Sequence, residues 1–517
     1  MKELLERYLR SDELAPALPE DEAARLAEAW LNRLSGLRAY PASLAAAGRR
    51  LFFLGRRGSG KRMAVLAETP EAVSGFEGDL TLVDADGWKL YLAVGPLSPS
   101  NAAAMRQALP FLTPRVLGLK KAAGCGDRLG LATPGHVRAI RPTGLAFIPA
   151  QQSVRENDRT GRSPQTVLDE AMWGLFQVGW REGYGADADH LKTTADLDTF
   201  AAAGYTFFTV DPGDHLDNQA DRDGPDRLRS KYEALPWPEL ETTPADLERA
   251  TLAKPFNLDG LSLALSSTDL LRAAAKYGRV VAHSVRMYRH LFKIMSGRPF
   301  ELEVSVDETE SVTTLAEHVY LAVELKRLGV NWVSLAPRYL GRFEKGVDYI
   351  GDIEAFERYL AGHAAVARAL GPYKLSIHSG SDKLAAYPIF SRLAGELVHL
   401  KTAGTSYLVA LKTIGAMNPD LFRDIYAFAV ERYPQDRATY HVSAETAKAP
   451  DCLKLPDSAL PGLLDDFHAR QILHVTYGSV LARQNLKEAL YQTLRANEDT
   501  YSDFLEEHFR KHFELLV

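Results

Sequence analysis

From Gly144 onward one pattern repeats: a short apolar run, a long stretch with helical spacing, then another apolar run. Such alternation implies parallel strands joined by crossover helices, because a tight turn cannot connect parallel neighbours. Eight runs qualify as strands: 144–150, 183–188, 205–211, 300–307, 331–338, 373–380, 397–402 and 437–444. Eight is the stave number of a (β/α)8 barrel, so the expected class is α/β, of TIM type. Ser163-Pro164 is a cap followed by Pro at the first helical position, and the helix it opens runs to about Trp180. Further helices are expected at 314–328, 353–370 and 418–433. The third connection, 212–299, is far longer than a crossover and reads as a helical insertion, with an acidic, Gly-rich lid at 217–227.

Residues 1–140 read as a small α+β domain, 141–450 as the barrel and 451–517 as a C-terminal helical extension. Asp86-Gly87, between apolar runs, is a hairpin signal. Gly55-Arg-Arg-Gly-Ser-Gly-Lys61-Arg62 lies one residue from the phosphate-loop pattern. Arg62, however, stands where a hydroxyl must hold Mg²⁺, and the run after it reads as a strand rather than a helix. A hairpin turn is therefore expected there, with no nucleotide. No strand is followed by G-x-G-x-x-G opening a helix, which removes the nicotinamide reading as well.

Net charge is −6 and the cations are scattered, which argues against a nucleic-acid partner. No apolar run is long enough for a membrane, and the charged N-terminus MKELLERYLRSDEL has no signal-peptide character. Two distant cysteines, Cys125 and Cys452, make neither a disulfide framework nor a Cys-type zinc site, as expected in a reducing cytoplasm.

In a parallel barrel alternate residues point inward, and active sites lie at the C-terminal strand ends. If the apolar residues face the helices, the inward set contains Glu303, Ser305, Asp307, Ser376, His378, His399, Lys401 and His441. Asp211, Arg338 and His190 follow at their strand ends, with Glu308 just beyond. So many ionisable groups at one mouth need a cation or one another. The two readings are a divalent metal site and an internal salt-bridge network around Lys401 and Arg338. Imidazole and carboxylate donors suit Zn²⁺, Mn²⁺, Co²⁺ or Ni²⁺ without choosing among them.

At these strand ends the chain resembles the tagaturonate epimerase family of hexuronate catabolism. The segments that carry the resemblance include GDRLGLATPGH from Gly126, QQSVREN from Gln151, GADADHLKT from Gly185, VDPGDH from Val210, EVSVDET from Glu303, FEKGVDYIGD from Phe343, LSIHSGSDK from Leu375, HLKTAGT from His399 and TYHVS from Thr439. The resemblance implies a metal-dependent epimerase interconverting D-tagaturonate and D-fructuronate. These differ at a carbinol carbon β to the ketone, so removing that carbon's proton gains nothing from enolate formation. Retro-aldol cleavage and re-addition would. The expected metal ligands are Glu308, His378 and His441, with Asp214 a fourth ligand or the base. Asp211 is a second catalytic carboxylate, and Lys401 an acid or electrostatic stabiliser. Arg155 or Arg338 would take the substrate carboxylate, and Gln152, Ser153 and His190 the hydroxyls.

Competing readings are another metal-dependent sugar or sugar-acid isomerase or aldolase, an inactive carbohydrate-binding barrel, and an ATP-dependent sugar kinase, which Arg62 disfavours. The expected partner is a small sugar acid; a homo-oligomer is compatible with the sequence.

Overall fold

The computed structural model describes residues 1–402 and 404–517. Nine parallel strands lie on eight staves: Ala122–Cys125, Ala146–Ile148 with Ala150–Ser153, Ala186–Leu191, Phe207–Val210, Glu301–Ser305, Ser334–Ala336, Lys374–Ile377 and Val398–Thr402. Pro149 divides the second stave, because a residue without an N–H interrupts a ladder. Its first half pairs with stave one and its second half with stave three. The ring closes where the last stave meets the first, His399 beside Ala122 and Thr402 beside Cys125.

The strand expected at 437–444 is not one. A short 3-10 turn, Arg437–Thr439, is followed by an irregular loop. The missing stave is Ala122–Cys125, ahead of the boundary expected at residue 140. Ala-Ala-Gly-Cys carries no β-branched or aromatic residue and so gives no strand signal. Smallness is required at Gly124, where a Cβ would come within 2.0 Å of Gln151 Oε1. Packing inside the barrel, rather than strand propensity, decides this stave.

The crossover helices form where caps foretell them. Ser163 accepts from Thr166 N–H and opens Pro164–Gln177. Thr314 and Glu317 make a capping box for Leu315–Arg327, and Asp352 caps Ile353–Leu370. The insertion contains helices Pro225–Glu233 and Pro244–Leu252, a small hairpin, and a 29-residue helix, Ser267–Met295. The acidic stretch read as a lid is tied down by Lys231 to Asp217 (2.7 Å) and by Lys276 to Asp221 (3.1 Å).

The N-terminal residues form a six-stranded sheet linked by antiparallel pairs. The phosphate-loop-like segment is a hairpin, paired from Arg50 with Ala67 to Arg57 with Gly60, and a strand, not a helix, follows its turn. At the second hairpin Asp86 and Gly87 both have positive φ (52° and 84°), the conformation a two-residue turn of that hand requires. Helices close the chain, ending with Glu498–Phe513, which packs on Thr133–Ile140. Among the described residues no helix is long and apolar enough to cross a membrane.

Candidate active site at the barrel mouth

Stave three carries two carboxylates and a histidine. Asp187 and Asp189 alternate with Ala186 and Ala188, and the register sets them beside Gln151 and Ser153. Strict alternation would send His190 outward. Instead its φ is +53° and the ladder shifts register between Ala188 and Leu191, so that His190 joins the cavity behind Asp189. A non-glycine residue held in the left-handed region is strained, and such strain concentrates at functional sites.

Lys401, 2% exposed, is the hub beneath the mouth. Its ammonium lies 2.9 Å from Asp187, 2.8 Å from Asp189 and 2.9 Å from Glu303, and donates to Thr209 Oγ1 at 2.6 Å. Two of these carboxylates hold the histidines above them. Asp189 lies 2.9 Å from His190 Nδ1, and Glu303 lies 2.7 Å from His378 Nε2. The remaining nitrogens face Asp307: His378 Nδ1 at 3.3 Å and His190 Nε2 at 3.9 Å. Ser305 Oγ donates to the same Asp307 oxygen.

Burial opposes charge on every member, and the partners overcome it for most. Burial disfavours the imidazolium of His190, yet Asp189 raises it to about 10; Asp307 and Glu303 likewise raise His378 to about 9. His190 and Lys401 hold Asp189 well below the usual carboxylate range against its burial, and Lys401 and His378 do the same for Glu303. Asp187 is the exception: burial outweighs Lys401 and pushes it up to about 7. Among the carboxylates around Lys401, it takes up a proton first as pH falls.

One ligand atom each from His190, Asp307 and His378 lies within 4.8 Å of the others, so this group could hold a metal ion. The arrangement behind it is the one metal-binding histidines use, a carboxylate fixing the far ring nitrogen of each. Glu308 and His441, expected as ligands beside His378, line the same cavity outside that cluster. His441 arrives on the loop after Arg437–Thr439, from above the mouth rather than from a stave. Glu344 fixes this loop, accepting from Ser443 N–H (3.0 Å), Ser443 Oγ (2.7 Å) and Gln471 Nε2 (2.9 Å).

Ser153, Arg155, His190, Arg338 and Lys401 line the cavity, as the sequence suggests. Gln152 does not. It shares the outward face of its strand with Ala150, and neither of its amide atoms has a partner among the described residues. Its neighbour Gln151 lines the cavity instead. Asp214 is exposed and paired with Lys192 at 3.0 Å, away from the cavity lining. Asp211 is buried beneath the mouth, its Oδ1 accepting from Gly213 N–H, and burial raises its pKa.

Sequence reasoning passed over Gln151, Asp189, Lys345 and Tyr440, all of which line the cavity. The alternation Ala-Asp-Ala-Asp could have revealed Asp189. Nothing local could have revealed Lys345 or Tyr440, which are carried on irregular loops. Burial lowers the Lys345 pKa, and Arg155 lies with its guanidinium 5.6 Å from the Tyr440 ring centre. Among the described residues Arg155, Arg338 and Lys345 have no ion-pair partner, leaving three cations in the cavity lining.

A tagaturonate epimerase family model matches residues 40–516. The Thermotoga maritima tagaturonate/fructuronate epimerase is 42% identical over 466 residues, 90% of this chain and 94% of that protein. The native crystal structure of the fructuronate-tagaturonate epimerase from Cohnella laeviribosi superposes with a TM-score of 0.87 at 33% identity, covering 96% of this chain and 99% of that one. A glycerol complex of the same enzyme matches equally, with TM-score 0.87. With sequence and barrel matched along nearly their whole length, the chain belongs to the tagaturonate epimerase family.

Proposed function

We propose that this protein interconverts D-tagaturonate and D-fructuronate, with a divalent metal held by His190, Asp307 and His378. The observation that carries the reading is the His190, Asp307 and His378 cluster backed by Asp189, Glu303 and Lys401. Its charge state supports the fit. Without a metal, raised imidazolium pKa values balance the surrounding carboxylates. A dication would take over that balance, releasing protons as it binds. When bound, it would supply Lewis acidity toward the substrate ketone.

The chain's own residues have separable tasks. Arg155, Arg338 and Lys345 offer charge to the substrate carboxylate. Glu308, exposed at the cavity without an ion-pair partner among the described residues, takes the proton of the β-hydroxyl; buried Asp211 is the alternative base. The bond between the α and β carbons then breaks, its electron pair forming an enediolate, and the β carbon becomes an aldehyde. The aldehyde turns over, the enediolate adds to its other face, and the base returns the proton. Lys401 stays charged throughout and holds Asp189 and Glu303, a positioning task rather than that of an acid. Asp214, paired with Lys192, has no part in the chemistry.

The test is NMR of the purified protein with D-fructuronate in D₂O, before and after chelation and metal add-back. Metal-dependent tagaturonate without deuterium at the inverted carbon supports the cleavage route. Deuterium at that carbon would establish direct proton exchange instead, and no conversion with any metal would remove the proposed function. Fructose and tagatose differ at the corresponding carbon, so slow 4-epimerisation of neutral ketohexoses is expected; absence of tagatose after prolonged incubation with fructose counts against it.

A further inference from the structure

The hairpin tip that resembles a phosphate loop ends at a cavity of about 470 Å³, far larger than the cavity of about 90 Å³ at the barrel mouth and sharing no lining residue with it. The tip, Ser59 to Arg62, forms one wall; helix Pro164–Gln177 and the C-terminal helices form the others. Leu97, Leu131, Pro134 and Leu494 make its surface largely apolar.

The polar groups are few and unequally satisfied. Each carboxylate already has a cation: Glu498 has Lys61, Asp169 has Arg106 at 2.6 Å, and Glu170 has Arg162. Arg62 and Arg495 have no carboxylate partner among the described residues. Arg62 donates only to the Lys61 carbonyl (2.8 Å), and Arg495 lies over the Tyr491 ring. Trp173, 4% exposed, lines the cavity with ring carbon, its indole nitrogen being sealed from it. Two guanidiniums without an ion-pair partner beside an apolar cavity favour an anion.

We propose that this cavity is a second small-molecule site, taking a monoanion with a flat apolar body, in chemical class an aromatic carboxylate. The apolar walls, Trp173 among them, hold the ring, and Arg62 and Arg495 hold the anionic group. The site is separate from the epimerase chemistry, so its occupant need not be a sugar.

The probe is 4-iodobenzoate. Calorimetric titration of the full chain is expected to show binding that weakens at least tenfold in an Arg62→Ala, Arg495→Ala double variant. The neutral 4-iodobenzamide should bind at least tenfold more weakly than the acid. In a crystal soaked with the acid, the iodine anomalous peak should lie inside this cavity, a ring's length from the Arg62 and Arg495 guanidiniums that hold the carboxylate. Both arginines are exposed, and matching thermal melts would show that the double variant keeps its fold. Equal affinity of the double variant, equal binding of the amide, or iodine only elsewhere would each overturn the proposal.

Discussion

Among the described residues two groups of metal-ligand residue types occur, and one of them is available to a metal. His190, Asp307 and His378 open into the barrel mouth. Asp382, His508 and His512 lie among the loop after stave seven and the last helix. In the second group Asp382 and His512 already have partners within the protein. Arg470 lies 2.8 Å from Asp382, Thr405 donates to it at 3.0 Å, and His512 Nε2 accepts from the Asp382 N–H at 2.9 Å. Burial keeps His512 neutral, lowering it to about 3, while Nδ1 faces the His508 carbonyl at 3.0 Å. Arg470 and His508 overcome burial to hold Asp382 ionised. A metal would have to displace a guanidinium and a backbone hydrogen bond. Residue type nominates a site, and the remaining partners decide whether it can act.

Replacing His378 by Ala should sharpen this contrast most. Activity is expected to fall about 10³-fold or more, with loss of bound metal measured by plasma emission. Full activity in the metal-stripped variant would break it.

Lys401→Met should be nearly as severe by a different route. Three carboxylates lose their shared cation, so stability should fall by roughly 3–5 kcal/mol in denaturant titration and activity by about 10²-fold. A variant with normal stability would show that the hub does not organise the mouth.

The pH dependence should separate the groups next. His378 and His190 have folded-state pKa values raised to about 9 and about 10 from 6.5, so in the metal-free protein their contribution is fully present below about 6.5. It is lost as pH rises through about 9 to 10. Asp382 has the opposite sign: its contribution is present above 3.8 and lost as pH falls through its depressed value. Calorimetry of chelated protein should therefore show Tm falling between pH 6.5 and 10. Metal should flatten that slope, because ligand imidazoles are neutral already. A flat profile without metal contradicts the charge balance proposed for the mouth.

Asp382→Asn should do least to function. A stability loss of about 1–3 kcal/mol is expected from the weakened network, with metal content unchanged and activity within twofold below the melting range. Lost metal would mean that the second group binds it after all.

Much of the mouth was legible because stave parity is a local rule. Glu303, Asp307, His378 and Lys401 face inward for the same reason that Leu302, Val304, Ile377 and Leu400 face the helices. Gln152, expected from the resemblance as a hydroxyl contact, gives way to Gln151 in the cavity, and parity could not explain His190, which a left-handed residue and a register shift turn into the cavity. The strand reading of 437–444 rested on alternating apolar residues that pack as a loop over the mouth. Stave Ala122–Cys125 stayed hidden because its small residues answer to Gln151 across the barrel rather than to strand propensity.

The sequence by itself determined the barrel, through alternating periodicity and helix caps, and most of the inward-facing charges. Tertiary structure alone decided which carboxylates share Lys401, which histidines meet Asp307, and which loop carries His441 and Lys345 to the rim. Periodicity acts between residues a few positions apart, where local geometry dictates direction. Charge pairing acts between staves far apart in sequence, where the closure of the ring sets which groups come within a hydrogen-bond length.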